Sequence, residues 1–147
     1  MLQKNFTTKS PEETIALGER LGHQLKGGDT VCLTGDLGGG KTHFAKGIAE
    51  GLGIVETIIS PTFVLMRVYD RGEAPNLYHL DLYRIKNEEE LEPMDLDDII
   101  GSDKAIVVME WPENIRAVIP ENAIWITFKY IDEKTRSIEI KGEHLVL

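Results

Sequence analysis

The chain has 147 residues, 41% hydrophobic and 28% charged, the balance of a single globular domain (1–147) with room for one sizeable core. Its formal net charge is −9, and Lys and Arg nowhere cluster beyond a pair, which argues against independent binding of nucleic acid. No apolar run is long enough for a membrane span, the N-terminus lacks the apolar region of a secretory signal, and the single cysteine cannot form an internal disulfide, so the expected compartment is the cytoplasm.

In chain order, residues 2–6 read as a short strand. Ser10-Pro11-Glu12-Glu13 is a helix start, with Ser10 as N-cap, Pro11 at the first helical position and Glu13 closing a capping box. The helix is expected to run to about Lys26, with Ile15, Leu17, Leu21 and Leu25 facing inward. Gly27-Gly28-Asp29 then turns the chain into an apolar strand, Thr30-Val31-Cys32-Leu33-Thr34. Cys32 reads as a buried, inert thiol.

Directly after this strand comes Gly35-Asp36-Leu37-Gly38-Gly39-Gly40-Lys41-Thr42, a complete G-x-x-x-x-G-K-[ST] loop. Each part has a mechanical task. The glycines let the N–H groups of residues 36–42 crowd around phosphate oxygens where a Cβ would block the approach. The Lys41 ammonium reaches the outer phosphates, and the Thr42 hydroxyl can ligate Mg²⁺. Residues 41–52 read as a helix with Phe44, Ile48 and Leu52 on one face. Its N-terminus would point free N–H groups and a positive dipole end at the phosphates. Gly51-Leu52-Gly53 reads as its C-cap. ATP or ADP with Mg²⁺ is the expected ligand; the chain has no N-K-x-D motif to read guanine.

Further on, residues 63–70 and 77–82 read as the two strands of a hairpin, turning at 71–76. Acidic helical turns follow from Asn87 to about Ile100. Ala105-Ile106-Val107-Val108-Met109 is a continuous apolar run, as in a parallel strand buried on both faces, and it ends at Glu110. A short helix is expected from Pro112 to Val118, and a second hairpin from 123–131 and 136–141. The fold class is α/β: a three-layer, P-loop NTPase-like fold whose small parallel core is extended by antiparallel strands.

Three constellations can complete a phosphate site. Strand ends in such sheets open onto the ligand crevice. Glu110 could therefore reach the metal, hold a metal-bound water, or orient the attacking water. In His79-Leu80-Asp81-Leu82-Tyr83, alternation puts His79, Asp81 and Tyr83 on one face. His79 and Tyr83 read as surface residues; Asp81 is either a surface carboxylate or a group at the metal. Ser60-Pro61-Thr62-Phe63 lies where switch segments lie, with Thr62 as the hydroxyl; the plain alternative is a proline turn.

GDLGGGKT at 35–42, ISPTF at 59–63, HLDLYRI at 79–85 and MEWPENI at 109–115 together resemble the bacterial tRNA threonylcarbamoyladenosine biosynthesis ATPases, the TsaE (YjeE) family. The resemblance covers most of the chain in order; the stretches before Gly28 and after Pro120 match only in general character. It implies an ATP hydrolase that acts with two partner proteins, TsaB- and TsaD-like, in threonylcarbamoyl modification of adenosine 37 of ANN-decoding tRNAs. It also implies that Thr42 and Glu110 serve Mg²⁺, that Thr62 and Asp81 are switch and catalytic-site residues, that Trp111 packs beside the site, and that the Ser10 region borders the adenine. A small-molecule kinase and a non-hydrolysing ATP-binding module are the competing readings. The scattered arginines speak against the arginine-rich lid of the first, and intact Thr42, Glu110 and Asp81 speak against the second.

Overall fold

An uninterrupted apolar run invites burial on both faces, and Ala105–Glu110 (β5) is buried at every position in the computed structural model, which describes residues 2–36, 40–56 and 66–147. β5 lies between β2 (Thr30–Gly35) and β4 (Asn76–Asp81), parallel to both, and β6 (Ile124–Tyr130) lies parallel to the other side of β2. Antiparallel strands extend this centre. β7 (Arg136–Gly142) and β1 (Leu2–Thr8) follow β6, and β3 (Met66–Tyr69) flanks β4, giving the order β1-β7-β6-β2-β5-β4-β3. Both expected hairpins form. The first is shorter than expected, and its residues 63–65 lie outside the described residues.

Strand alternation gives the sheet two apolar faces. Val31, Leu33, Ile106, Val108, Ile126 and Phe128 face the helices α1 (Pro11–Gly22) and α2 (Lys41–Gly51). Cys32, Leu80, Val107 and Met109 face the other side, under the 3₁₀ turns of Glu88–Met94 and Pro112–Val118 and the short helix α3 (Leu96–Ile99). The three layers expected from the sequence are therefore present. Phe44 of α2 is fully buried and meets the Phe128 ring edge-on at 5.4 Å between centroids. Burial of such a side chain stabilises by about 1.5–3 kcal/mol.

α1 and α2 pack backbone to backbone. A Cβ on Gly18 would clash with the Phe44 carbonyl, and one on Gly47 with the Ile15 carbonyl; Gly22 and Gly51 repeat the arrangement one turn on. α1 ends at Gly22 rather than near Lys26. Gln24 and Leu25 donate to carbonyls only three residues back, which tightens the chain out of the helix, and the Asp29 carboxylate accepts the Lys26 N–H to close the turn. Ile15, expected inside, is only half-buried, because the glycines occupy the helix contact. The C-cap at Gly53 forms as expected: Gly53 has φ 79°, its N–H donates to Glu50, and that of Ile54 donates to Ala49.

Candidate functional site

β2 delivers the glycine loop at the sheet's C-terminal end. Gly35 has φ 112°, and a Cβ there would collide with the Phe128 carbonyl, so only glycine fits. Asp36 then locks the loop's start onto β6. Its N–H donates to Phe128 O (3.0 Å), and its Oδ2 accepts the Tyr130 N–H (3.0 Å). Leu37, Gly38 and Gly39 lie outside the described residues, as does Thr62. Gly40, at φ 101°, is the N-cap of α2, and Thr42 stands exposed in the first turn.

Lys41 is held from three sides. Nζ donates to Gly35 O and Asp36 O, both at 2.8 Å, and sits 4.0 Å from the centroid of the Trp111 ring. An ammonium has three donors, so two fix its position and one is left for an anion. The residue is 6% exposed. Burial lowers its pKa, while Glu110, Glu113, Asp36 and Asp81 pull the other way. Burial outweighs the four carboxylates, which offset only part of the cost of keeping the ammonium charged there.

Glu110, the last residue of β5, is 4% exposed and lies in register with Leu33 of β2 and Asp81 of β4. Its Oε2 is 2.7 Å from His79 Nε2, and His79 is 1% exposed. This corrects the surface reading of His79. Residues 77, 79 and 81 point toward the helix-covered face with Val108 and Glu110, so the imidazole is interior and meets the strand-end carboxylate. Tyr83 is exposed as expected, but it lies beyond β4 and leans edge-on against Trp111 at 5.1 Å between centroids. Asp81 stands at the rim, where its Oδ1 accepts the Tyr83 N–H at 3.1 Å. Partial burial and the neighbouring Glu110 charge raise its carboxyl pKa against the Tyr83 hydrogen bond, His79 and Arg84.

Trp111 leaves β5 in the left-handed region (φ 59°, ψ 57°), which is uncommon for a bulky residue and marks local backbone strain. The turn brings its ring over Lys41 and starts the 112–118 turns, whose Glu113 bonds the Thr34 hydroxyl just before the loop. Glu113 was not singled out from the sequence; its place in EWPE, three residues past the strand-end acid, was the available signal.

Ser10 acts as the N-cap, with its Oγ accepting the Glu13 N–H at 3.1 Å. Glu13 accepts a backbone N–H from Lys9 rather than from Ser10, so the box is displaced by one residue. One turn in, Thr14 bonds the Thr8 hydroxyl and sets its methyl against Gly40. The first turn of α1 therefore abuts Gly40 at the start of α2.

Among the described residues no cluster of three or more His, Cys, Asp or Glu side chains could hold a metal alone. The oxygen set of Thr42, Glu110 and Asp81 is nonetheless the kind a hard cation takes when phosphates supply further ligands. No helix among the described residues is long and apolar enough to cross a membrane.

A family model described as "Threonylcarbamoyl adenosine biosynthesis protein TsaE" matches residues 8–138. The tRNA threonylcarbamoyladenosine biosynthesis protein TsaE of Bacillus subtilis is 39% identical over 138 residues, covering 94% of this chain and 85% of that protein. The protein of the same name from Nostoc is 42% identical over 132 residues, covering 88% and 80%. A crystal structure of Bacillus subtilis YdiB superposes with a TM-score of 0.80 at 32% identity, covering 96% of this chain and 86% of that one.

Proposed function

The chain belongs to the TsaE family of threonylcarbamoyl adenosine biosynthesis proteins, and we propose that it serves that pathway as a Mg²⁺-dependent ATPase of P-loop NTPase-like fold. The observation that carries this is the seat of Lys41. A buried ammonium is anchored on two loop carbonyls under the Trp111 ring, beside the Glu110 carboxylate at the end of the neighbouring strand. A lysine held this way is preorganised for phosphate, so little freedom is lost when the anion binds.

In this reading the backbone N–H groups of Asp36, Leu37, Gly38, Gly39 and Gly40 cradle the phosphates, and Lys41 neutralises the outer ones. The Thr42 hydroxyl and the Glu110 carboxylate hold Mg²⁺, which when bound supplies charge neutralisation for the leaving phosphate. Asp81, across from Glu110, takes a proton or orients water at the crevice rim. Trp111 screens the ammonium from solvent. Thr62 is assigned as the switch hydroxyl and the Ser10 turn as the border of the adenine. The partners are TsaB- and TsaD-like proteins, the compartment is the cytoplasm, and the charge of −9 assigns tRNA contact to those partners.

The test is phosphate release from ATP with Mg²⁺, measured for the chain alone and with the TsaB- and TsaD-like proteins. Release above background that vanishes in Lys41→Ala supports the reading. No release under either condition, with tight ATP binding retained, would reduce the chain to a binding module.

A further inference from the structure

We propose that His79 is a positioning residue for the strand-end carboxylate: its Nε2–H holds Oε2 of Glu110 and leaves Oε1 to work in the crevice. The inference rests on the reading of Glu110 as part of the hydrolytic site. Nothing in the family description or in the names of the relatives gives His79 a role.

Three observations carry it. The contact is short, 2.7 Å, in the range of charge-assisted hydrogen bonds. Both side chains are nearly sealed from water, at 2% and 5% exposure, so neither can exchange this partner for solvent without a penalty. The two residues also stand on neighbouring strands in fixed register. Residue 79 pairs with Val108 and residue 81 with Glu110, so the imidazole lies one pleat behind the carboxylate on the same face. A purely apolar core position there would be filled as Leu77 and Val108 are; instead the sequence buries an imidazole and aims its far nitrogen at the acid.

The chemical consequence follows from the carboxylate's symmetry. A Glu side chain has three rotatable bonds, and its two oxygens exchange roles when the group turns. A single strong donor on Oε2 removes that exchange and gives Oε1 one location. In a site that works by fixed electrostatics, this placement matters more than the strength of the bond.

The experiment has a spectroscopic arm and a kinetic arm. In nucleotide-free protein labelled with ¹⁵N-histidine, the proposal expects the proton on Nε2 of His79 at neutral pH, and a displaced signal in Glu110→Gln. A proton on Nδ1 alone would make Nε2 an acceptor and overturn the proposal. For kinetics, His79→Gln carries an amide N–H about as far out as Nε2, whereas His79→Asn places it nearer the backbone. His79→Asn should lower the partner-supported kcat at least about tenfold with KM for ATP within about twofold, while His79→Gln stays within about threefold of wild type. Equal activity of the Asn and Gln variants, or wild-type activity in His79→Asn, would overturn it. Should His79→Asn fail to fold, as judged by its melting curve, the tautomer and the His79→Gln rate still decide. Unaltered hydrolysis in Glu110→Gln would instead remove the reading on which the proposal depends; loss in Glu110→Gln with none in His79→Asn would remove the positioning role alone.

Discussion

Asp81 and Glu110 are register partners across the parallel β4–β5 pair, so two carboxylates end adjacent strands on the same face of the sheet. Partial burial and the Glu110 charge both raise the Asp81 pKa. A carboxyl whose folded pKa is raised binds protons more tightly in the folded state. Its effect on stability is therefore most favourable at low pH and is lost as pH rises through the folded pKa. Asp81→Asn keeps an oxygen for the Tyr83 N–H and removes the charge. The nucleotide-free variant should melt higher than wild type at pH 7, with the difference shrinking as pH falls toward and below the ordinary carboxylate range, where the wild-type carboxyl becomes protonated in both states. Thermal melts across that range check the sign; a variant less stable at pH 7 contradicts it.

Removing the charge of the other carboxylate tests chemistry. Glu110→Gln preserves size and can still accept a hydrogen bond from His79. ATP binding should persist while hydrolysis with partners falls at least about tenfold, equivalent to ~1.4 kcal/mol of barrier. Unchanged turnover would leave Glu110 a plain strand end and shift the assignment to Asp81.

Lys41→Ala removes the ammonium that Gly35 O, Asp36 O and the Trp111 ring hold in place. One charge-assisted phosphate contact is worth about 1.5–3 kcal/mol, so ATP affinity should drop roughly ten- to a hundredfold. Calorimetry reads this directly. Equal affinity would mean that phosphate binds elsewhere.

The helix layer makes a separate, structural prediction. Gly47→Ala would push a Cβ into the Ile15 carbonyl and force α1 away from α2. Overpacking of this kind costs about 1–3 kcal/mol, or roughly 2–4 °C of melting temperature per kcal/mol at this size. A melting curve matching wild type would show that the helix pair can separate freely.

These positions differ in how far the sequence exposed them. The hairpin of β6 and β7 and the end of β5 at Glu110 were legible, because alternation, turn residues and an unbroken apolar run are local signals. The glycine contact was present but unread: Gly18 and Gly22, like Gly47 and Gly51, are spaced by four and so share a helix face. His79 was misjudged for a different reason. Its face was correct, but which face is covered depends on β4 lying parallel beside β5 under the helices, and no local pattern carries that pairing. The placement of β2 between β5 and β6 is non-local in the same way. So is the left-handed exit at Trp111, which brings its ring back over Lys41.

The physiological reading makes the last prediction. A net charge of −9 disfavours independent binding of tRNA phosphates, so this chain's part in the pathway should run through proteins that hold the tRNA. Depleting it should lower threonylcarbamoyladenosine in ANN-decoding tRNAs, as measured by mass spectrometry of tRNA nucleosides. Wild-type protein should restore the level, whereas Lys41→Ala and Glu110→Gln should not, because one is expected to lose the nucleotide and the other its hydrolysis. Restoration by both variants would separate pathway membership from ATP turnover. A normal level after depletion would remove the requirement for this protein while leaving the geometry around Lys41 to be explained by another phosphate ligand.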